Sequence, residues 1–115
     1  MAYLLLIVEP QGQRRTRPAQ EGRGVYQRML EYTKSLNARG VLLASNSLRE
    51  SAARLGIRGG RQSVVDGPFA ESKELVGGFF LLECATREQA LSLAAECPAA
   101  EWATIEVREV GPCYE

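Results

Sequence analysis

Asp66-Gly67-Pro68-Phe69-Ala70-Glu71-Ser72-Lys73-Glu74 stands between two strand-like runs, Arg61 to Asp66 before it and Leu75 to Cys84 after it. Gly67 permits dihedrals closed to other residues and Pro68 fixes the next φ, so together they turn the chain between the two runs. The stretch also concentrates side-chain chemistry that is scarce elsewhere. Asp66 is the only aspartate, and Lys73 is one of two lysines, the other being Lys34. Every other cationic side chain is an arginine and every other anionic one a glutamate.

Outward from this turn the pattern alternates between strand and helix. Leu75 to Cys84 is a long apolar strand, and Gly59-Gly60 joins Ala53 to Arg58 with Arg61 to Asp66 as a hairpin. Val41 to Ala44 and Ser47 to Arg49 read as strand, with Ser45-Asn46-Ser47 as a turn. At the N-terminus Tyr3 to Val8 is a buried strand. At the other end Thr104 to Val110 alternates, with Ile105 and Val107 on one face and Glu106 and Arg108 on the other. Val25, Met29, Tyr32 and Leu36 fall on one helical face that begins near Gly24 and stops at Gly40. The polar segment Gln11 to Gly24, with Arg14, Arg15, Arg17 and Arg23, reads as a mobile loop in which Pro18 starts a frayed turn. A second helix opens with the capping-box spacing Thr86-Arg87-Glu88-Gln89 and ends at Pro98. The order of strand, helix, strands, helix, strand is α+β.

These residues resemble the YCII-related family, in the branch named for its Asp-Gly-Pro-Phe motif. The likeness runs from Tyr3–Val8 through Gly40-Val41-Leu42-Leu43 and Gly77-Gly78-Phe79-Phe80-Leu81-Leu82 to Glu88-Gln89-Ala90 and Ile105-Glu106-Val107-Arg108. The resemblance implies a ferredoxin-like fold, an antiparallel sheet with two helices on one face, that pairs into a dimeric α/β barrel with the motif lining a cleft. It also implies two kinds of function: small enzymes with a histidine and an aspartate in a pocket, and domains associated with sigma factors. Independently of family, strands apolar on both faces need cover on the side the helices leave bare, which predicts a homodimer.

Composition narrows the partners. At 115 residues and 12.6 kDa, residues 1–115 are expected to form a single domain. Fourteen basic and fourteen acidic residues balance, so no electrostatic footprint points to direct nucleic-acid or anionic-membrane binding. Met1 to Val8 is apolar but too short for a span and has no basic lead-in, which argues against a signal peptide. Cys84, Cys97 and Cys113 match neither a disulfide framework nor a zinc ligand set, and a cytoplasmic protein with reduced thiols is expected. There is no histidine, so no residue can fill the histidine role of the family's enzymes, and neither metal nor cofactor is expected.

The candidate ligand-binding residues are Asp66, Gly67, Pro68, Phe69, Glu71, Lys73 and Glu74, with Phe69 anchoring the loop in the core. Asp66 and Lys73 are the candidate catalytic pair. Asp66 reads equally as a turn cap that accepts backbone N–H groups, and Lys73–Glu74 as a loop ion pair. Ser72 as a nucleophile would need Lys73 as its base. Two functions follow. One is a ligand-binding or regulatory module, taking a small molecule or a sigma factor, with the arginine-rich loop available to an acidic partner. The other is a cofactor-free enzyme in which Asp66 is the base for a small aromatic or carbonyl substrate.

Overall fold

A computed structural model describes residues 1–69 and 71–114. Strands β1 (Ala2–Pro10), β2 (Leu42–Ser47), β5 (Glu74–Glu83) and β6 (Thr104–Glu109) form an antiparallel sheet in the order β2-β5-β1-β6. Strands β3 (Ala53–Arg58) and β4 (Arg61–Asp66) form a separate two-stranded hairpin. Helices α1 (Ala19–Ala38) and α2 (Arg87–Ala95) cover one face of the four-stranded sheet.

Alternation along β1 decides that face. Tyr3, Leu5, Ile7 and Glu9 are buried, while Leu4, Leu6 and Val8 point the other way and remain partly exposed. Opposite them Phe80 and Leu82 on β5 and Cys84 just beyond it continue inward, and with Tyr32, Leu36, Ala90 and Leu93 from the helices they make the core. Leu4 pairs with Leu81 and Leu6 with Phe79, so the far side of the sheet carries an apolar patch that no helix covers. The molecule is a slab of 47 × 43 × 18 Å. Its radius of gyration, 16.1 Å, exceeds the about 13 Å expected of a compact chain of this length.

Several local signals act as the sequence predicts. Gly59 and Gly60 both take positive φ, 56° and 76°, as a two-residue hairpin turn requires. Gly40, at φ 72°, ends α1. Its N–H donates to the Asn37 carbonyl at 3.0 Å and the Val41 N–H to Leu36 at 3.2 Å, which caps the last turn. At α2, Thr86 Oγ1 accepts the Gln89 N–H at 3.1 Å and Gln89 Oε1 accepts the Ala85 N–H at 2.7 Å.

Three expectations fail. The first helix begins at Ala19, not near Gly24, and takes in both interior glycines. Each costs about 1 kcal/mol against alanine, which packing of Met29, Tyr32 and Leu36 on the sheet offsets. Gln11 to Arg17 is also tied down. The Gln11 N–H reaches Lys73 O at 2.8 Å, Gln13 Nε2 donates to Trp102 O at 2.7 Å, and residues 13–16 form a 3-10 turn. Finally, Ser45-Asn46-Ser47 is the end of β2 rather than a turn; an irregularity between Leu42 and Ala44 keeps one continuous strand in register with β5.

Candidate functional site

Among the described residues, two clefts lie close to the residues of interest. The larger, about 620 Å³, lies between the N-terminal half of α1 and the inner face of the sheet. Val25, Tyr26 and Met29 form its helical wall, Ile7 and Phe80 its floor, and Trp102 one end. Three charged residues line it, Glu9, Arg14 and Arg17; Glu9, the last member of the buried stripe on β1, is only 4% exposed.

Glu9 owes its place to two other parts of the chain. The register between β1 and β5 shifts at Ile7/Val8, leaving Gly77 unpaired beside Glu9. A Cβ on Gly77 would collide with Glu9 Oε1 and lie 2.7 Å from Arg14 Nη2, so only glycine leaves room for the carboxylate there. Arg14, on the 3-10 turn, closes the other side. Its Nη1 donates to Leu48 O at 2.7 Å and its Nη2 to Gly77 O at 3.0 Å. Nη2 also stands 2.7 Å from Glu9 Oε1, yet that oxygen accepts no hydrogen bond. The two statements are compatible: the pair is close enough for a strong Coulombic contact, while no N–H is aligned on the oxygen. A buried acceptor without a hydrogen is costly, and here it borders a cavity.

Arg17 and Arg28 each hold a guanidinium carbon 5.5 Å from the Trp102 ring centroid, and Arg17 Nη2 donates to Gln13 Oε1 at 3.1 Å. Trp102 is therefore half-buried at the edge of the core and lines the cleft rather than filling the interior. The arginines expected on a free loop at positions 14 and 17 are turned onto the protein.

The smaller cleft, about 550 Å³, takes in Pro68, Phe69, Ser72 and Glu74 together with Arg54 and Glu50. The motif thus borders a cleft, but a different one from the cleft that holds the buried carboxylate. Gly67 joins Pro68 through a cis peptide bond, and its N–H donates to Ala52 O at 2.7 Å, closing the base of the hairpin. Phe69 is half-buried outside the core, because the Arg54 guanidinium stacks 3.6 Å from its ring centroid. Arg54 also pairs with Glu71 Oε1 at 3.2 Å and donates to Ser72 Oγ at 3.2 Å. Ala70 lies outside the described residues; beyond it the Ser72 N–H donates to Phe69 O at 2.9 Å and β5 starts at Glu74.

Asp66 ends β4, exposed and opposite Ala53, and lines neither cleft. Among the described residues no ion pair joins it to Lys73, and none joins Lys73 to Glu74. The structure therefore does not bring the predicted pair together. Glu9 is absent from the sequence candidates because the first strand, read as Tyr3 to Val8, stops one residue short of it, whereas the observed strand runs Ala2–Pro10. The signal that would have found it is the alternation Tyr3, Leu5, Ile7, Glu9, which places the carboxylate on the buried face.

Cys84 and Cys97 are buried, and burial pushes both thiols up; Cys113 is exposed. Among the described residues no group of three acidic, cysteine or histidine side chains is placed to hold a metal ion, and no helix is long and apolar enough to cross a membrane.

Strand order, the two helices on one face and the connecting hairpin define a ferredoxin-like α+β protein with a cleft between helix and sheet. The chain belongs to the YCII-related domain family, whose model matches residues 1–113. An uncharacterized protein of Rhizobium meliloti (strain 1021) is 46% identical over 46 residues; the match covers 40% of this chain and 37% of that protein's length. A solved structure, 5-chloro-2-hydroxyhydroquinone dehydrochlorinase from Burkholderia phenoliruptrix AC1100 in complex with 2,5-dihydroxybenzoquinone, shares the fold. It matches 96% of this chain and 94% of its own at TM-score 0.58 and 17% identity.

Proposed function

We propose that this YCII-related protein is a small-molecule-binding module that works as a homodimer, and that its ligand occupies the cleft between α1 and the sheet. The observation that carries this reading is the buried Glu9 carboxylate, left without a hydrogen bond beside an apolar-walled cavity of about 620 Å³. The uncovered apolar patch around Leu4, Leu6, Phe79 and Leu81 supports pairing with a second copy through the free face of the sheet. The sigma-factor partner rests on the family resemblance alone.

A cofactor-free acid/base enzyme is the second reading, favoured by the buried carboxylate and by the dehydrochlorinase of the same fold. In it the base is either Glu9 in the larger cleft or Asp66 at the foot of the hairpin.

Native mass spectrometry after incubation with lysate tests the binding reading with three forms of the protein. Gly22 lines the larger cleft and a Cβ there meets nothing within 4 Å, so Gly22→Leu fills the cavity while improving helix propensity. A small-molecule adduct on wild type and Asp66→Asn, absent from Gly22→Leu, is expected. No adduct on wild type, or one that Gly22→Leu retains, would sink the assignment of this cleft; loss in Asp66→Asn alone would move the site to the motif.

A further inference from the structure

We infer that the larger cleft selects neutral aromatic molecules carrying a hydrogen-bond donor, such as a phenolic hydroxyl, which Glu9 accepts. This rests on the proposed use of that cleft and goes further, to the chemistry of what enters it.

Three observations converge. First, Glu9 is an acceptor in need of a hydrogen. Among the described residues its Oε1, in ionic contact with Arg14, receives no hydrogen bond, and the residue, 4% exposed, lines the cavity with acceptor capacity to spare. A ligand hydroxyl would supply a charge-assisted bond to a carboxylate that is itself largely buried, where such bonds are stronger than in water. Second, the neighbouring cation is not offered to an anionic ligand. Arg14 is held by the Leu48 and Gly77 carbonyls and balances the charge of Glu9, and Arg17, the other cation lining the cleft, donates to Gln13 Oε1 and lies over Trp102, so a ligand carboxylate beside Glu9 would face its charge with both arginines already engaged. Third, most of the remaining wall is apolar, with Phe80 and Ile7 below, Met29 and Val25 beside and Trp102 at the end, joined by the neutral polar residues Thr33, Ser45, Asn46 and Ser47. The apolar part suits an aromatic ring.

The combination discriminates in one direction. A molecule of the same shape without the donor offers Glu9 no hydrogen, so it gains only the apolar contacts. A site built around a polar group rejects such analogues far more strongly than an apolar pocket rejects an extra methylene.

Resorcinol and 1,3-dimethoxybenzene make the test, because methylation removes the donors and keeps the ring. Trp102 is the only tryptophan, and its indole N–H gives a single resonance at the end of the cleft. Titration of wild type followed at that resonance is expected to show resorcinol binding at least about tenfold more tightly than the diether, the difference a hydrogen bond to a charged acceptor makes. Glu9→Gln is expected to remove most of that preference. Equal binding of the two probes by wild type would overturn the donor rule while leaving the cleft as a binding site. Failure of resorcinol to move Trp102 at millimolar concentration would overturn it as well. Neither result depends on the variant folding, and the lysate adduct experiment stands apart from both.

Discussion

The Tyr32 hydroxyl on α1 donates to the Leu93 carbonyl on α2 at 2.7 Å, while its ring meets Phe80 of β5 edge-on at 5.1 Å. One side chain therefore joins both helices to the sheet. Because Leu93 O also accepts the Glu96 N–H at 3.2 Å, Tyr32→Phe leaves no bare carbonyl and should cost only about 1 kcal/mol. Tyr32→Ala empties the core and should cost about 3–5 kcal/mol. Urea denaturation measures both, and equal losses would show that the hydroxyl, not the ring, holds the layers together.

Stability should fall on the alkaline side. Burial raises the Tyr32 phenol and the Cys84 and Cys97 thiols above their ordinary values, so the folded chain keeps protons that the unfolded chain gives up. Their contribution is fully present below the ordinary values, about 8.5 for a thiol and 10 for a phenol, and is lost as pH rises beyond them. On the acid side, hydrogen bonds from Arg39 and Arg28 hold Glu96 and Glu101 low, so the stability they add is present above the usual carboxylate range and fades as pH falls below it. Both pairs are exposed and screened, and their effect should be the smaller. Thermal melts between pH 3 and 11 test the asymmetry. A Tm unchanged above pH 9 would contradict the burial of these groups.

Two glycines should respond in opposite ways to alanine. Gly77→Ala drives a methyl into Glu9 and Arg14, and a destabilisation of about 1–3 kcal/mol is expected, together with a shift of the Trp102 resonance. Gly22→Ala meets open space inside α1 and should stabilise by about 0.5–1 kcal/mol. If both variants were neutral, the crowding around Glu9 would not be as described.

Pairing through the free sheet face predicts that Leu6→Glu, which sets a charge in the middle of the apolar patch opposite Phe79, leaves a folded monomer. Sedimentation at micromolar concentration should show wild type at twice the 12.6 kDa of one chain and the variant at one. A wild type that sediments as a single chain would remove the homodimer from the proposed function.

Much of the secondary structure could be read directly from the chain. Gly59-Gly60 demanded a tight turn, Thr86 and Gln89 marked a helix start, Gly40 a helix stop, and the doubly apolar β1 and β5 required cover on both sides. These are properties of a few neighbouring residues: allowed dihedrals, caps and two-residue alternation. The helix start at Ala19 lay beyond such reasoning, since two glycines argued locally against it and only packing on the sheet outweighed them. The site lay further still. Asp66 was conspicuous by rarity, yet its strand ends in solvent, whereas Glu9, one of many glutamates, is buried. What decides between them is a register shift that sets Gly77 beside Glu9 and a 3-10 turn that brings Arg14 against both. Those contacts join segments remote in sequence and depend on how the sheet pairs, so only the assembled fold determines them.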